Sequence, residues 1–438
     1  MSQRSPKSMD RPPRIHLASL GCAKNLIDSE RLLARLATAG GLVGAPAEEA
    51  DVILVNTCGF IAPAREESLD VIRSYAQEKE SNPDLKLIVL GCLVERERSA
   101  LREALPFVDG FFGLEETDGI VAAAGLEPET DDGARLLLTP PHTAYLRISE
   151  GCDNACTYCT IPSIRGSFRS RRSEVILREA EDLVHSGVRE LNLIGQDTTS
   201  YGRDSASAHS IDRLLLEVSA VDGLRWLRLL YAYPAHVTDE LIDVIAETPK
   251  ICNYVDLPLQ HLDDDVLRRM GRGATQRQTL DLIRDLRRRI PDVAIRTTFI
   301  VGFPGETDAQ FENLLELVEE LQFDQLGAFA YSREDGTPAA AFPDQISEPE
   351  KERRVRELML LQQDIALKKN RSLIGSRVEV LVDGPTEEPD VWIARTQGQA
   401  PDVDNVTRVV GPDLLPGDFR DVQISDIDGY DLVAKALG

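Results

Sequence analysis

The chain has no run of 18 apolar residues, so no segment reads as crossing a membrane. Its first stretch, Met1 to Arg14, is polar and basic and lacks the apolar centre of a secretion signal, so a cytoplasmic protein is expected. It also lacks an excess of base. Forty-nine Lys and Arg stand against 74 Asp and Glu, a net charge of −25, which argues against a broad nucleic-acid footprint because phosphate binding needs clustered cations. A basic protein partner suits this charge better, and solubility alone is the plainer use of it. Cysteine is scarce and odd in number, at seven. Without a secretion signal, that speaks against a disulfide framework and leaves reduced thiols available as metal ligands. At 438 residues the chain exceeds one ordinary core and suggests two or three domains.

What is present is concentrated in Gly151 to Cys159, where Cys152, Cys156 and Cys159 form a C-x3-C-x2-C array just after the apolar run Tyr145 to Ser149. Three thiolates can hold three irons of a four-iron cluster and leave the fourth open to a cofactor. Structural zinc wants four ligands, usually as two separated pairs. The nearest histidine before the array is His142, and no fourth ligand stands out.

Three further cysteines follow apolar strand-like runs. Ile15 to Leu20 ends in Gly21-Cys22, Val52 to Asn56 runs into Thr57-Cys58, and Leu87 to Leu90 runs into Gly91-Cys92, with helical patterns between them. Such alternation implies an α/β domain with a flavodoxin-like parallel sheet covered on both faces. Ligands bind at the carboxyl edge of these sheets, so the topology brings Cys22, Cys58 and Cys92 to one rim as a second cluster site. Three ordinary core cysteines are the alternative.

From Thr143 the pattern restarts as six strand-helix repeats, a partial TIM-type (βα)6 barrel with its chemistry at the carboxyl ends of the strands. Gln196 and Asp197 follow the second strand, Gln260 and His261 the fourth, and Gly302 to Glu306 the fifth. His261 is either a hydrogen-bonded structural residue or a catalytic one, and Gly302-Phe303-Pro304-Gly305 reads as a turn as readily as a ligand cradle. Arg165, Arg169, Arg171 and Arg172 fit a solvated loop or a bidentate carboxylate clamp equally well. Cys252 stands alone and reads as core. Glu350 to Ser372 is a connector helix. Beyond it five short runs of period two, separated by turn residues, indicate a small antiparallel β-barrel. From Ser372 to Gly438 there are 13 acidic and five basic residues, the wrong sign for phosphate. The expected segments are a disordered tail over 1–13, a first domain over 14–130, the barrel and connector over 138–371, and the small barrel over 372–438.

The array Cys152, Cys156 and Cys159, with aromatic Tyr158 before the last cysteine, resembles the signature of the radical S-adenosylmethionine enzymes. That resemblance implies an open iron that chelates S-adenosylmethionine, and cleavage of the cofactor to a 5'-deoxyadenosyl radical. It also implies cofactor contacts by Tyr158, by Gln196 and Asp197 toward the amino group, and by the segment after Val301, including Gly302 and Glu306, toward adenine or ribose. The three pieces together resemble the methylthiotransferases over nearly the whole chain, the small barrel matching the TRAM domain. In that family the triad Cys22, Cys58 and Cys92 holds a second four-iron four-sulfur cluster that presents sulfur for transfer. Two branches exist, one modifying a tRNA adenosine, the other the β carbon of an aspartate in ribosomal protein S-twelve. Pro258-Leu259-Gln260-His261, Gly195 to Thr199 and Ala400 to Asp404 resemble the ribosomal-protein branch. The acidic small barrel agrees with that choice, and Asp402 and Asp404 are expected to face the basic substrate. A reductant protein and a monomeric enzyme are expected, without a membrane and without nucleic acid as the main substrate. The non-enzymatic alternative is an iron-sulfur carrier, which has no need of a six-unit barrel with its own open-iron triad.

Overall fold

The structure is a computed structural model that describes residues 11–130, 133–204 and 209–437; up to residue 10 the tail expected over 1–13 lies outside the described residues. The chain forms two compact units. One holds the described residues up to Leu138 together with Thr160–Ser167, and the other holds Thr139–Cys159 and the chain from Phe168 onward.

In the first unit, β1 (Arg14–Ser19), β2 (Leu42–Val43), β3 (Val52–Thr57), β4 (Lys86–Gly91) and β5 (Gly110–Phe112) make a five-stranded sheet in the order β2-β1-β3-β4-β5. Every pairing is parallel, and the order is the doubly wound flavodoxin-like one. Strand β3 is buried along its whole length, which is why its sequence is apolar without alternation. Helices α1 (Ala23–Thr38), α2 (Ala62–Ser74), α3 (Ala76–Ser81), α4 (Cys92–Ala104) and α5 (Thr117–Ala123) follow the strands. The short α6 (Ile161–Arg165) packs with them in this unit.

The second unit begins with β6 (Thr143–Arg147), extended by β7 (Ser149–Glu150), which pairs with β8 (Arg169–Ser170). Then come α7 (Ser173–His185), β9 (Glu190–Ile194), α8 (Ile211–Ser219), β10 (Trp226–Leu229), α9 (Asp239–Glu247) and β11 (Tyr254–Gln260). Helices α10 (Asp264–Met270) and α11 (Gln276–Arg289), strand β12 (Ala294–Val301), helix α12 (Asp308–Leu321) and strand β13 (Gln325–Ala330) complete the repeats. Six parallel strands run in the order β6-β9-β10, then β11-β12-β13, joined by a single bridge between Leu227 and Ile251. This is the six-strand partial barrel. Capping boxes at Thr275/Gln278 and Thr307/Gln310 start α11 and α12, satisfying orphan donors at both ends of the box.

Helix α13 (Glu348–Ser372) leads to a closed five-stranded barrel of β14 (Arg377–Pro385), β15 (Val391–Thr396), β16 (Thr407–Val410), β18 (Asp431–Ala436) and β17 (Phe419–Asp428). Its pairings are antiparallel except β16 with β18, which run parallel. That one parallel pair closes the barrel and leaves no free edge.

The small barrel packs on the amino-terminal ends of the six strands. Glu190, the first residue of β9, is fully buried and accepts from Arg395 at 2.7 and 3.0 Å, from Arg228 at 3.2 Å and from Thr143 at 2.8 Å. Arg395 continues to Asp383, which meets His142 at 3.0 Å. Trp226, opening β10, stacks edge-on against Phe419 with centroids 5.0 Å apart. The carboxyl ends of the strands therefore stay on the side opposite the small barrel.

Candidate cluster sites

In the first unit the three cysteines end the central strands: Cys22 just beyond β1, Cys58 just beyond β3, and Cys92 at the first turn of α4 after β4. Strands β1 and β3 flank the point where the strand order reverses, the crevice in which doubly wound sheets bind ligands. The glycines explain how close the turns come. A Cβ on Gly21 would lie 2.9 Å from the Cys58 Cβ and 3.2 Å from its Sγ, and one on Gly59 would lie 2.7 Å from the Cys92 carbonyl oxygen. Only glycine lets the three cysteine turns pack against one another. Burial pushes the Cys92 thiol up to about 12 against the pull of the Arg165 guanidinium, and it raises Cys58 as well. Buried thiols of this kind lose their protons when a cation binds them, so the donor set suits an iron cluster. All seven cysteines are free thiols. Among the described residues no three His, Cys, Asp or Glu side chains converge as ligands of a single ion would; thiols that each bind a different iron stand farther apart.

The second triad, Cys152, Cys156 and Cys159, sits in the loop after β7 with each side chain part-buried. That loop is clamped from two directions. From α10, Met270 O accepts from Thr157 N at 3.0 Å and Arg269 O accepts from Thr157 Oγ1 at 2.8 Å. Gly271 caps α10 at φ +71°, where a Cβ would sit 2.5 Å from the Ala155 carbonyl oxygen. Arg272 then reaches Cys156 Sγ at 3.7 Å and stacks 4.2 Å over the Tyr233 ring. From the turn after β9, Asp197 accepts from Asn154 Nδ2 at 2.9 Å, inside the cysteine array itself. Asp197 is buried and also takes Thr199 and Ser200 hydroxyls at 2.7 Å each, the Ser200 N–H at 3.1 Å and His236 Nδ1 at 3.0 Å. Burial pushes its carboxyl up, but the hydrogen bonds from His236, Thr199, Ser200 and Asn154 outweigh it and hold the group below the usual range.

The other sequence-derived residues divide. Gln196 donates to Glu150 at 2.7 Å while its Oε1 is buried without a partner, as is Ser149 Oγ next to Gly195. Orphaned polar atoms beside the cysteine loop are features a bound group satisfies, and Ser149 carried no signal in the sequence beyond its place in an apolar run. Tyr158 packs edge-on against Phe303 at 6.4 Å, at the margin of an apolar cluster with Met270 and Tyr331. Gly302 backs onto Lys351 of α13, whose Cγ lies 2.4 Å from where a Cβ would be. Glu306 is buried, accepts from Phe303 N at 2.9 Å and faces Arg354 at 3.0 Å. His261 is buried too, its Nδ1 accepting from Asp263 N and its Nε2 3.9 Å from Glu306.

The arginines do not form one clamp. Arg165 points into the first triad, Arg171 pairs with Glu179 at 2.6 Å, and Arg172 is mostly exposed beside Glu174. Cys252 is buried, and burial lifts its thiol to about 11, as a core cysteine requires. Asp404 does not face a substrate. Its side chain is 1% exposed and receives Tyr254 at 2.7 Å, Arg296 at 3.2 Å and Ala400 N at 2.8 Å, while Asp402 accepts from Tyr145 at 2.8 Å. Asp404 fastens the small barrel to β11 and β12, because a buried carboxylate must be paired with donors, while Asp402, itself exposed, reaches β6 through Tyr145.

Three families match consecutive parts of the chain: the uncharacterized protein family UPF0004 over residues 14–113, the Radical SAM superfamily over 146–318 and the TRAM domain over 374–437. The ribosomal protein uS12 methylthiotransferase RimO of Geobacter sulfurreducens is 45% identical over 97% of this chain and 98% of its own. That of Syntrophus aciditrophicus is 46% identical over 98% and 99%. Among solved structures, the radical S-adenosylmethionine methyltransferase TsrM from Kitasatospora setae, with cobalamin and a [4Fe-4S] cluster bound, superposes with a TM-score of 0.54. It is 16% identical, over 75% of this chain and 77% of that one, a likeness of fold. With near full-length identity of this order to several such enzymes, the chain belongs to the ribosomal protein uS12 methylthiotransferase family of radical SAM proteins.

Proposed function

We propose that this protein transfers a methylthio group to the β carbon of an aspartate in ribosomal protein uS12, with Cys152, Cys156 and Cys159 holding one four-iron cluster and Cys22, Cys58 and Cys92 a second. The observation that carries the reading is the pairing of two cysteine triads in one chain, each at the carboxyl ends of its own parallel sheet. The full-length relatives named for uS12 modification support the ribosomal-protein branch over tRNA. The clusters and S-adenosylmethionine, when bound, supply the electron, the carbon radical and the sulfur that is methylated.

The chain's own residues do the positioning. Asp197 holds the C-x3-C-x2-C loop at Asn154 and α10 holds it at Thr157, so the loop is positioned before anything binds. Gln196 and Ser149 offer buried acceptors to an amino group, and Tyr158 walls the site with an aromatic face. Gly302 and Glu306 support this site through Lys351 and Arg354. Because Asp404 and Glu190 fasten the small barrel to the amino ends of the strands, substrate is approached from the carboxyl side. We infer a monomer that acts in the cytoplasm and takes electrons from a reductant protein.

Mass spectrometry of uS12 from cells with and without this protein tests the reading. The expected result is loss of one methylthio increment on one aspartate-containing peptide. An unchanged uS12 together with an altered tRNA adenosine overturns it.

A further inference from the structure

Arg165 is 6% exposed and is the last residue of α6, which Gly166 ends at φ +72°. Its Nη2 lies 3.3 Å from Cys92 Sγ, donates to Asn25 Oδ1 at 2.6 Å, and faces Asp28 at 3.0 Å. Asn25 Oδ1 is itself 3.3 Å from the same sulfur, and Asn25 Nδ2 is committed to the Leu20 and Thr57 carbonyls at 3.1 and 2.9 Å. The amide is therefore fixed with its oxygen toward the guanidinium. A guanidinium keeps its charge when buried and holds a fixed fork of donors. In this arrangement one donor meets the Cys92 sulfur while a partly exposed carboxylate faces the same nitrogen.

We infer that Arg165 is a positioning and tuning residue of the first triad: its N–H bond to the Cys92 sulfur and its charge, attenuated by Asp28, raise the reduction potential of the cluster held by Cys22, Cys58 and Cys92. This rests on the two-cluster reading above. The physical reason is that reduction adds one negative charge to the cluster, and iron-sulfur potentials follow net charge, hydrogen bonds to sulfur and exposure. A nearby buried cation stabilises the reduced state, and removing the carboxylate that attenuates it stabilises that state further.

The test uses the full chain carrying C152A, C156A and C159A, reconstituted anaerobically, so that only the first triad contributes signal. Iron and sulfide content come first. A background with no four-iron cluster overturns the two-cluster reading itself, separately from the role of Arg165. With the cluster present, its midpoint potential is measured by redox titration followed by electron paramagnetic resonance in three variants. R165Q is expected to move the midpoint negative by about tenfold in the one-electron equilibrium, about 59 mV. D28N is expected to move it positive, and R165K to fall between R165Q and the parent. A purely structural role would shift R165Q and D28N the same way or leave both unchanged, and either result overturns the inference. If R165Q fails to retain iron, D28N decides alone: a positive shift supports the assignment and no shift refutes it.

Discussion

Replacing Glu190 by Gln would test how the small barrel is held to the radical barrel. Glu190 has no exposure and is held by Arg395, Arg228 and Thr143. Two routes give the magnitude. Removing one partner of a buried ionic set leaves uncompensated charge and costs about 3–5 kcal/mol. The second route uses linkage. Burial pushes the Glu190 carboxyl up, but the Arg395 and Arg228 charges more than offset that and bring it from its ordinary 4.5 to about 2. At roughly 1.4 kcal/mol per pH unit of separation, the gap is worth about 3 kcal/mol. A carboxyl with a lowered folded value stabilises the fold above its unfolded value, and that contribution is lost as pH falls toward the folded one. The wild type should therefore exceed E190Q by about 3 kcal/mol at pH 7, and the difference should decline between about pH 4.5 and 2.

The assay is built into the chain. Its two tryptophans are Trp226, against Phe419, and Trp392 on β15, whose Nε1 donates to Gly411 O at 3.2 Å. Intrinsic fluorescence during urea unfolding thus reads the packing of the small barrel on the strand ends. With m-values of about 3 kcal/mol/M or more for a chain this size, the fluorescence midpoint should fall by up to about 1 M at pH 7. An E190Q midpoint equal to wild type at pH 7, or a difference that persists undiminished at pH 2.5, would refute the reasoning.

Four further outcomes are open to test. C156A should abolish 5'-deoxyadenosine formation, whereas C58A should leave S-adenosylmethionine cleavage measurable and stop methylthio transfer; a C58A protein that keeps all its iron and still transfers the group sinks the second-cluster assignment. G271A forces a side chain into positive φ and against the Ala155 carbonyl, a strain of about 1–3 kcal/mol; iron analysis should show loss confined to the Cys152-Cys156-Cys159 site, and full iron retention contradicts the clamp. Asp421 and Asp426 are exposed on β17, in the barrel opposite the carboxyl ends, so reversing both to Lys tests whether the basic uS12 extends beyond the reacting side: a fewfold weaker binding at low salt and less at high salt shows that it does, and unchanged affinity confines binding to the carboxyl side. D404K should instead lower the urea midpoint by breaking a buried contact, and an effect on uS12 affinity alone, with stability intact, would return Asp404 to the substrate.

The sequence by itself determined the architecture. Uninterrupted apolar runs such as Val52 to Asn56 can only be strands buried on both faces, and their alternation with amphipathic helices forces parallel pairing, so Cys22, Cys58 and Cys92 had to share an edge. The C-x3-C-x2-C spacing is likewise local information. Period-two runs between turn residues announced the small barrel, though not its parallel β16–β18 pair, because pairing partners are set by closure rather than by pattern. Only the tertiary structure decided what individual polar residues do. Asp197 reads as a ligand-facing residue at a strand end, yet its oxygens are consumed by five donors from three segments, among them Asn154 of the cysteine loop. Asp404 reads as surface acidity, yet Arg296 and Tyr254, over a hundred residues earlier, bury it. Arg165, one of four arginines in a short stretch, is the one turned into the first unit, beside a cysteine 73 residues before it. A side chain's charge is written in the sequence, but whether that charge meets water, a counter-ion or a sulfur depends on which distant segments the fold brings around it.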